Sequence, residues 1–366
     1  MDLLSPIWHK IQRTLFPEIE EDIGPLSKKQ KQLIAILELA RVEELVNGPR
    51  RGYVGRPEDD RRAMARAFVA KTVYNIPITK ALIEQLKSDK NLRQICGWEL
   101  KEQVPSEASF SRAFAEFANT ALPAMAHTAL IQKHQSLRLV GHISKDSSAI
   151  VAREKPVKKE KPDVKQNKKA GRGRPKKGEQ RPAKIPTRLE RQIAGMSLQD
   201  MLDDLPTACD VGSKKNSRGY LETWIGYKIH ADWADGEIPI SCLLTSASVH
   251  DSQVAIPLAE ISAKRVCSLY DLMDSAYDAP QIKAFSQSLG HVPIIDSNQR
   301  RGVKIEMDPA KAERFKSRTT AERGFSLLKD NFGGNFVRVR GHAKVFAHLM
   351  FGILAITAEQ LLRLCT

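Results

Sequence analysis

Residues 266–277 read Val-Cys-Ser-Leu-Tyr-Asp-Leu-Met-Asp-Ser-Ala-Tyr. The run from Val266 to Met273 is apolar almost throughout and stops at Asp274, the pattern of a buried strand. An acid at the C-terminal end of such a strand stands where ligand sites of open α/β sheets lie. Upstream, Tyr220 to Ala231 alternates, with Ile225, Tyr227 and Ile229 against Trp224, Lys228 and His230, and predicts a half-buried strand. Asp235-Gly236 is a hairpin signal, and Ile238 to Thr245 is the returning strand. Ser252 to Ser262 then predicts a helix. Downstream, Pro280 to Leu289 predicts a helix and Val292 to Ile295 another buried strand. Asp308-Pro309, a capping residue followed by Pro at the first helical position, opens a helical region with a break near Ser317.

Leu137 to Ser144, ending at Lys145-Asp146, supplies a strand before all of these. Residues 137–330 thus give strand, strand, strand, helix, strand, helix, strand, helix. That is the order of an α/β ribonuclease-H-like core, a mixed sheet flanked by helices. Residues 1–135 read as an all-helical N-terminal domain, with helices over Ser27 to Val46, Arg61 to Val73, Ile78 to Leu86 and Leu92 to Ile95, and one opened by Pro105-Ser106-Glu107. Such short helices suit either a helix-turn-helix DNA reader with Arg112 facing DNA, or a bundle used for packing or dimerisation. Residues 136–366 read as the ribonuclease-H-like domain, with a basic insertion at 153–215 and a C-terminal helix at 345–364.

Charge marks the insertion. The 366 residues carry 58 Lys and Arg against 43 Asp and Glu, a net charge of +15. Residues 153–191 hold 16 of those cations and 5 acids, so +11 of the total lies in one segment. A polyanion is the natural partner for it, and a solvated linker is the alternative. The five cysteines are scattered, with no CxxC pair, which argues against a zinc site or a disulfide framework and for a reducing compartment. Val345 to Ala358 is apolar but short of a membrane span. It reads as the buried helix of a cytoplasmic protein with no membrane partner.

Three acids fall at informative places: Asp146 at the end of the first strand or within it, Asp274 at the C-terminal end of the fourth, and Glu322 on the last helix. Three carboxylates in one cleft repel unless a divalent cation neutralises them. Carboxylate oxygens with substrate phosphate are the usual ligands of Mg2+, and two such ions suit an in-line phosphoryl displacement. On an ideal helix Phe315, Arg318, Glu322 and Lys329 fall within one narrow stripe. It sets a carboxylate between two phosphate-binding cations, or is simply an exposed helix face with an Arg318–Glu322 ion pair. Lys228 and His230 share a strand face toward the cleft or toward solvent. His250 reads as a polar turn residue rather than a general base. Asp210 and Asp232 are weaker rivals of Asp146, and Asp251, Asp271, Asp278 and Asp296 read as turn, cap or supporting groups.

The stretch Phe315-x2-Arg318-x3-Glu322-x6-Lys329 resembles the Tyr-x2-Arg-x3-Glu-x6-Lys signature of DDE transposases of bacterial insertion sequences, with Phe315 in place of the tyrosine. Asp274-Ser275-Ala276-Tyr277 and Asp146-Ser147-Ser148 are similar to that family's second-Asp and first-Asp motifs. Gly55-Arg56-Pro57, Leu92 to Gly97, Val104 to Phe117 and Val339-Arg340-Gly341-His342 resemble its insertion-sequence-5-like branch. The resemblance implies that Asp146, Asp274 and Glu322 hold two Mg2+ ions, for which Mn2+ can substitute. Tyr277 and Phe315 would support the acids, and Arg318 and Lys329 would position the DNA backbone. It further implies strand cleavage at the element's terminal inverted repeats in double-stranded DNA, then attack of the freed 3′-hydroxyl on target DNA, by a homodimer or larger synaptic complex. Arg172-Gly173-Arg174-Pro175, followed by Lys176 and Lys177, resembles an AT-hook that enters an A·T-rich minor groove. Competing readings are a non-enzymatic DNA-binding protein and a nuclease of the same fold without strand transfer.

Overall fold

The computed structural model describes residues 24–46, 59–157, 185–215, 218–297 and 306–364. Gly48-Pro49, Gly55-Arg56-Pro57 and the AT-hook-like Arg172 to Lys177 lie outside these residues.

The N-terminal region is helical, and local chemistry sets its boundaries. Helix α1 (Lys28–Ala40) begins at a capping box, in which Ser27 and Gln30 satisfy each other's backbone N–H. The Asp60 carboxylate caps α2 (Arg61–Val73), and Asp89 links α3 (Thr79–Ser88) to α4 (Lys90–Cys96). Ser106 caps α5 (Glu107–Asn119), as the Pro-Ser-Glu start implies. A further helix, α6 (Leu122–Gln135), carries Pro123 in its first turn.

The sheet has six strands among the described residues. They are β1 (Leu139–Val151), β2 (Asp210–Lys215), β3 (Leu221–Ala234), β4 (Ile238–Ser246), β5 (Cys267–Met273) and β6 (Val292–Ile295). β1 is central, antiparallel to β3 and parallel to β5, and β6 extends the parallel side. The outer edge of β3 is shared, its first half by β2 and its second half by β4. Helices α7 (Arg188–Ile193) and α8 (Leu198–Asp203) precede β2, so the second half of the insertion is ordered structure. Two of its cations, Arg188 and Arg191, are held by Asp204 at 2.6 and 2.9 Å.

The remaining helices are α9 (Ser252–Ala263), α10 (Pro280–Ser288), α11 (Pro309–Phe315), α12 (Thr319–Asn331) and α13 (His342–Arg363). Alternation along β1 assigns their sides. Ser144 donates to the Ser317 carbonyl, and its cross-strand partner Trp233 packs on Phe325 of α12. The next pair, Lys145 and Asp232, points the other way and reaches Ser262 of α9. The sheet is therefore covered on both faces, and β3 departs from its half-buried expectation. From Gly226 onward it is a central strand in which His230 and Asp232 are fully buried. The solvent-facing alternative for His230 does not hold.

The C-terminal helix is longer than its apolar stretch suggested. At 22 residues α13 has the length and composition of a membrane-crossing helix, yet 78% of its most apolar window is buried within the protein. It packs on α1, α2, α5, α6, α12 and β4. One apolar core thus runs from Leu33 and Ile36 through Phe351 and Ile353 to Ile229 and Trp233.

The seat of α12 on the sheet requires Gly324. A Cβ there would lie 2.4 Å from the Trp233 ring, and one at Gly352 would lie 2.7 Å from Leu328. Gly to Ala in a helix normally stabilises by roughly 0.5–1 kcal/mol. Gly324→Ala should instead destabilise by about 1–3 kcal/mol through overpacking, read as a lowered urea midpoint. The exposed neighbour substitution Ser326→Ala should change stability by no more than about 0.5 kcal/mol in the same titration.

Candidate active site

The site forms where β1 and β5 run side by side. Lys145 pairs with Met273, so the residues that follow each, Asp146 and Asp274, lie next to each other at the end of β5. Asp274 caps a short turn of 3-10 helix, Ser275–Tyr277, and accepts the Ala276 N–H at 2.9 Å. Asp146 accepts the Ser147 N–H at 2.7 Å. Burial raises the Asp146 carboxyl to about 6; Ser147 and Arg318 oppose the rise, while the charges of Asp274 and Asp251 add to it. Burial also raises Asp274, against its Ala276 hydrogen bond and Arg318 and with the help of Asp251.

Arg318 brings in the third acid. It ends a 3-10 turn, Lys316–Arg318, that separates α11 from α12, so Phe315 and Glu322 do not share one continuous helix. Anchorage of that turn by Ser144 places the guanidinium between two carboxylates. Its Nη1 lies 3.5 Å from Asp146 Oδ2 and its Nη2 donates to Glu322 Oε1 at 2.8 Å. The bland reading of the stripe, an i,i+4 ion pair, is therefore present, and the same arginine also spans to the acid on β1. Glu322 is 57% exposed while Asp146 is mostly covered. Phe315 lies beneath the guanidinium, 5.9 Å from ring centroid to Arg318 Cζ.

Sequence reasoning undervalued Asp251. As the residue before α9 it reads as a cap, yet its side chain makes no cap hydrogen bond. It accepts instead from Lys228 Nζ at 3.0 Å, and His230 Nδ1 lies 3.7 Å away. Burial alone would raise Asp251, but the neighbouring cationic charge and hydrogen bonds from Lys228 and Ser147 hold it below the usual carboxylate range. Burial lowers His230 to about 3, so the ring is neutral and Lys228 supplies that charge. No local sequence signal pairs residues 228 and 251; only the β3–β4 hairpin brings them together. Tyr277 is buried, with its hydroxyl unpartnered. Burial, then the charges of Asp251, Asp146 and Asp274, push its ionisation far up.

The other candidates sit elsewhere. Lys329 is half-buried beside Lys214 of β2, its pKa lowered by burial and by that neighbour. Arg112 lies on the exposed face of α5 and donates to Ser109 Oγ at 3.2 Å. Asp232 is neutralised by Lys145 and Ser262 on the opposite sheet face, and Asp210 on β2 accepts from Ser248. His250, exposed, bonds Ser252 as a turn residue would.

Among the described residues no three His, Cys, Asp or Glu side chains converge at metal-ligand distance. Asp146 and Asp274 nevertheless form an all-oxygen, self-repelling and half-buried pair, the donor chemistry that a hard divalent cation relieves. Two carboxylates thus fit such an ion directly, and Glu322 is tied to them through Arg318.

Against families of known proteins, residues 18–116 match a transposase domain and residues 206–358 match the transposase DDE domain. The chain belongs to the DDE transposases. No curated protein matches it. The first match covers α1 to most of α5; the second contains Asp274, Arg318, Glu322 and Lys329 and reaches into α13. Asp146 precedes the second match, so its place in this transposase rests on its position beside Asp274 and on its contact with Arg318.

The raised Asp146 has a consequence for stability. Its carboxyl titrates near 3.8 in the unfolded chain and at about 6 when folded. The folded protein binds the extra proton between those values, so stability falls as pH rises through that window. The displacement corresponds to roughly 3 kcal/mol at most, reduced by the solvent that still reaches the side chain. In metal-free protein, Asp146→Asn should raise the urea midpoint above pH 6 and leave it nearly unchanged below pH 3.8. Equal shifts at both pH values would show that the carboxyl is not held in this way.

Proposed function

We propose that this protein is the transposase of an insertion sequence of the insertion-sequence-5-like branch. It would cut DNA at the element's ends and join the freed 3′-hydroxyl to target DNA. The observation that carries the reading is the meeting of Asp146, within β1, and Asp274, just past the end of the paired strand β5, with Arg318 spanning Asp146 and Glu322. The element order around them supports a ribonuclease-H-like core, with β2, α7 and α8 inserted between its first two strands.

Asp146, Asp274 and Glu322 would hold two Mg2+ ions, or Mn2+ in their place. Bound there, the ions would supply charge neutralisation at the scissile phosphate and activation of the attacking oxygen. Asp274 is fixed by its backbone hydrogen bond and Asp146 by the strand, so neither has to be ordered when DNA arrives. Arg318, released from Glu322, would turn to a backbone phosphate, for which a guanidinium is well shaped. Lys329, with Lys214 beside it, would hold the duplex farther along. Lys228 keeps Asp251 charged, and the buried Tyr277, in the turn that Asp274 caps, would support the acid pair. Double-stranded DNA is the partner, engaged by a homodimer or larger assembly, with the insertion's Arg172, Arg174, Lys176 and Lys177 adding minor-groove contact.

Asp274→Asn and Glu322→Gln should each reduce Mg2+-dependent strand cleavage by at least about 100-fold, a loss of roughly 3 kcal/mol in transition-state stabilisation. Binding of a labelled duplex should persist. A gel assay with a supercoiled target plasmid reads cleavage and joining separately. Cleavage at full rate in either variant would overturn the assignment, and cleavage without joining would mark a nuclease.

A further inference from the structure

A cavity of about 410 Å3 opens where the helical region meets the sheet. It is remote from the acid pair. Arg153 on its rim is seven residues past Asp146 along β1 and its continuation, a path of roughly 20 Å at about 3.3 Å per residue. Its wall is aromatic: Phe68 meets Phe114 at 5.0 Å and Phe351 at 5.7 Å between ring centroids. Its charge is one-sided. Lys71, Arg153, Arg338, Arg340 and Lys344 line it, against the single acid Glu107.

Lys71 is the telling residue. It is only 9% exposed, and its ammonium donates to the Pro77 carbonyl at 3.5 Å. Among the described residues no carboxylate pairs with it, nor with Arg153, Arg338, Arg340 or Lys344. Burial lowers Lys71 to about 8. His348, another wall residue, donates to the Gly333 carbonyl and is kept neutral by burial and by Lys71, its pKa lowered to about 4. A buried ammonium without a counter-charge is costly, and an anion in the cavity would remove that cost. The rim is also fixed in place. Glu154, next to Arg153, accepts from the Tyr227 hydroxyl and from the Gly341 N–H, both at 2.9 Å, and so ties the turn after β1 to the loop carrying Arg338 and Arg340.

We infer that this cavity binds a phosphate ester carrying a nucleobase, supplied by the DNA strand that leads away from the acid pair. The phosphate sits among Lys71, Arg338 and Arg340, and the aromatic wall takes the apolar face of the nucleoside. This rests on the transposase reading for the nature of the polymer. Phosphates recur about every 3.4 Å along one strand, so a strand cut at Asp146 and Asp274 reaches the cavity in roughly six steps. A free nucleotide has the same chemistry and is the second possible source.

Arg338→Ala/Arg340→Ala alters only exposed side chains and should fold; Lys71→Met tests the buried charge. Anisotropy of a labelled duplex against salt should show the double variant about tenfold weaker. The slope of log K against log salt should shrink by about 2, because each lost phosphate contact removes about 0.9. The urea midpoint should be unchanged. Calorimetry with dAMP distinguishes the sources. Weakened DNA binding supports the strand, whereas dAMP binding lost in the variant with DNA binding intact assigns the pocket to a free nucleotide. If both probes bind wild type and variants equally, the pocket is overturned while the transposase reading stands. If wild type binds no DNA, both fall.

Discussion

The approach of α12 to the sheet at Gly324 is the constraint on which the site depends. With no side chain at that position, the helix lies directly on the Trp233 ring. On its other side Gly352 lets α13 approach Leu328 equally closely. Residues 318 and 322 are less than two turns from Gly324, so the same contact that packs the core also sets the height of Arg318 and Glu322 above β1. Packing of this density transmits small displacements rather than absorbing them. A site carried on one strand, one strand end and one helix needs that rigidity, because its members have no covalent or local connection to one another.

The second organising element is α13. It closes the chain, yet it occupies the middle of the helical region and touches the sheet as well. Its apolar residues face α1, α2, α5 and α6 on one side and β4 and α12 on another. The helical region and the sheet therefore share one core, and the basic cavity lies on the seam between them. The two family matches divide along the chain, but α13, which begins inside the second, is buried against the residues of the first.

Much of this was legible in the sequence wherever the determining contact is local. Asp274 follows an apolar run that does form a strand, though one buried throughout only in its last three residues, and Asp308-Pro309 announces a helix start by capping chemistry alone. The spacing of Arg318 and Glu322 carries their ion pair in itself. What escaped depends on contacts between distant residues. His230 reads as one side of an alternating strand, and only the covering helix α9 makes both sides interior. Asp251 looks like a cap because capping is what an acid before a helix usually does, whereas its partner Lys228 comes from a strand 23 residues earlier. The stripe from Phe315 to Lys329 assumes one ideal helix although a break near Ser317 is itself legible; the 3-10 turn at Lys316–Arg318 re-aims Phe315, while Lys329, two turns past Glu322 on the same helix, stands beside Lys214. Strand β2 could not be read because its residues, Asp210 to Lys215, are too polar to mark a buried strand, and they pair only along the outer edge of β3.

Charge poses a problem for any such protein, since a carboxylate cluster repels the polyanion it must cut. The observed arrangement meets it in two ways. Near the acids the negative charge is muted. Asp146 carries a raised carboxyl, Arg318 lies between two of the acids, and Lys228 offsets Asp251. Away from them, uncompensated positive charge is gathered on surfaces that a duplex would meet first: Lys214 with Lys329, and the cavity rim with Arg338 and Arg340. Attraction at those surfaces scales with the number of phosphates neutralised and does not require the acids to be attractive themselves. The acids then need only be fixed and close together. The net charge of +15 thus lies largely apart from the acids: the cations would draw a backbone in, while the few acids are held against Arg318 and Lys228.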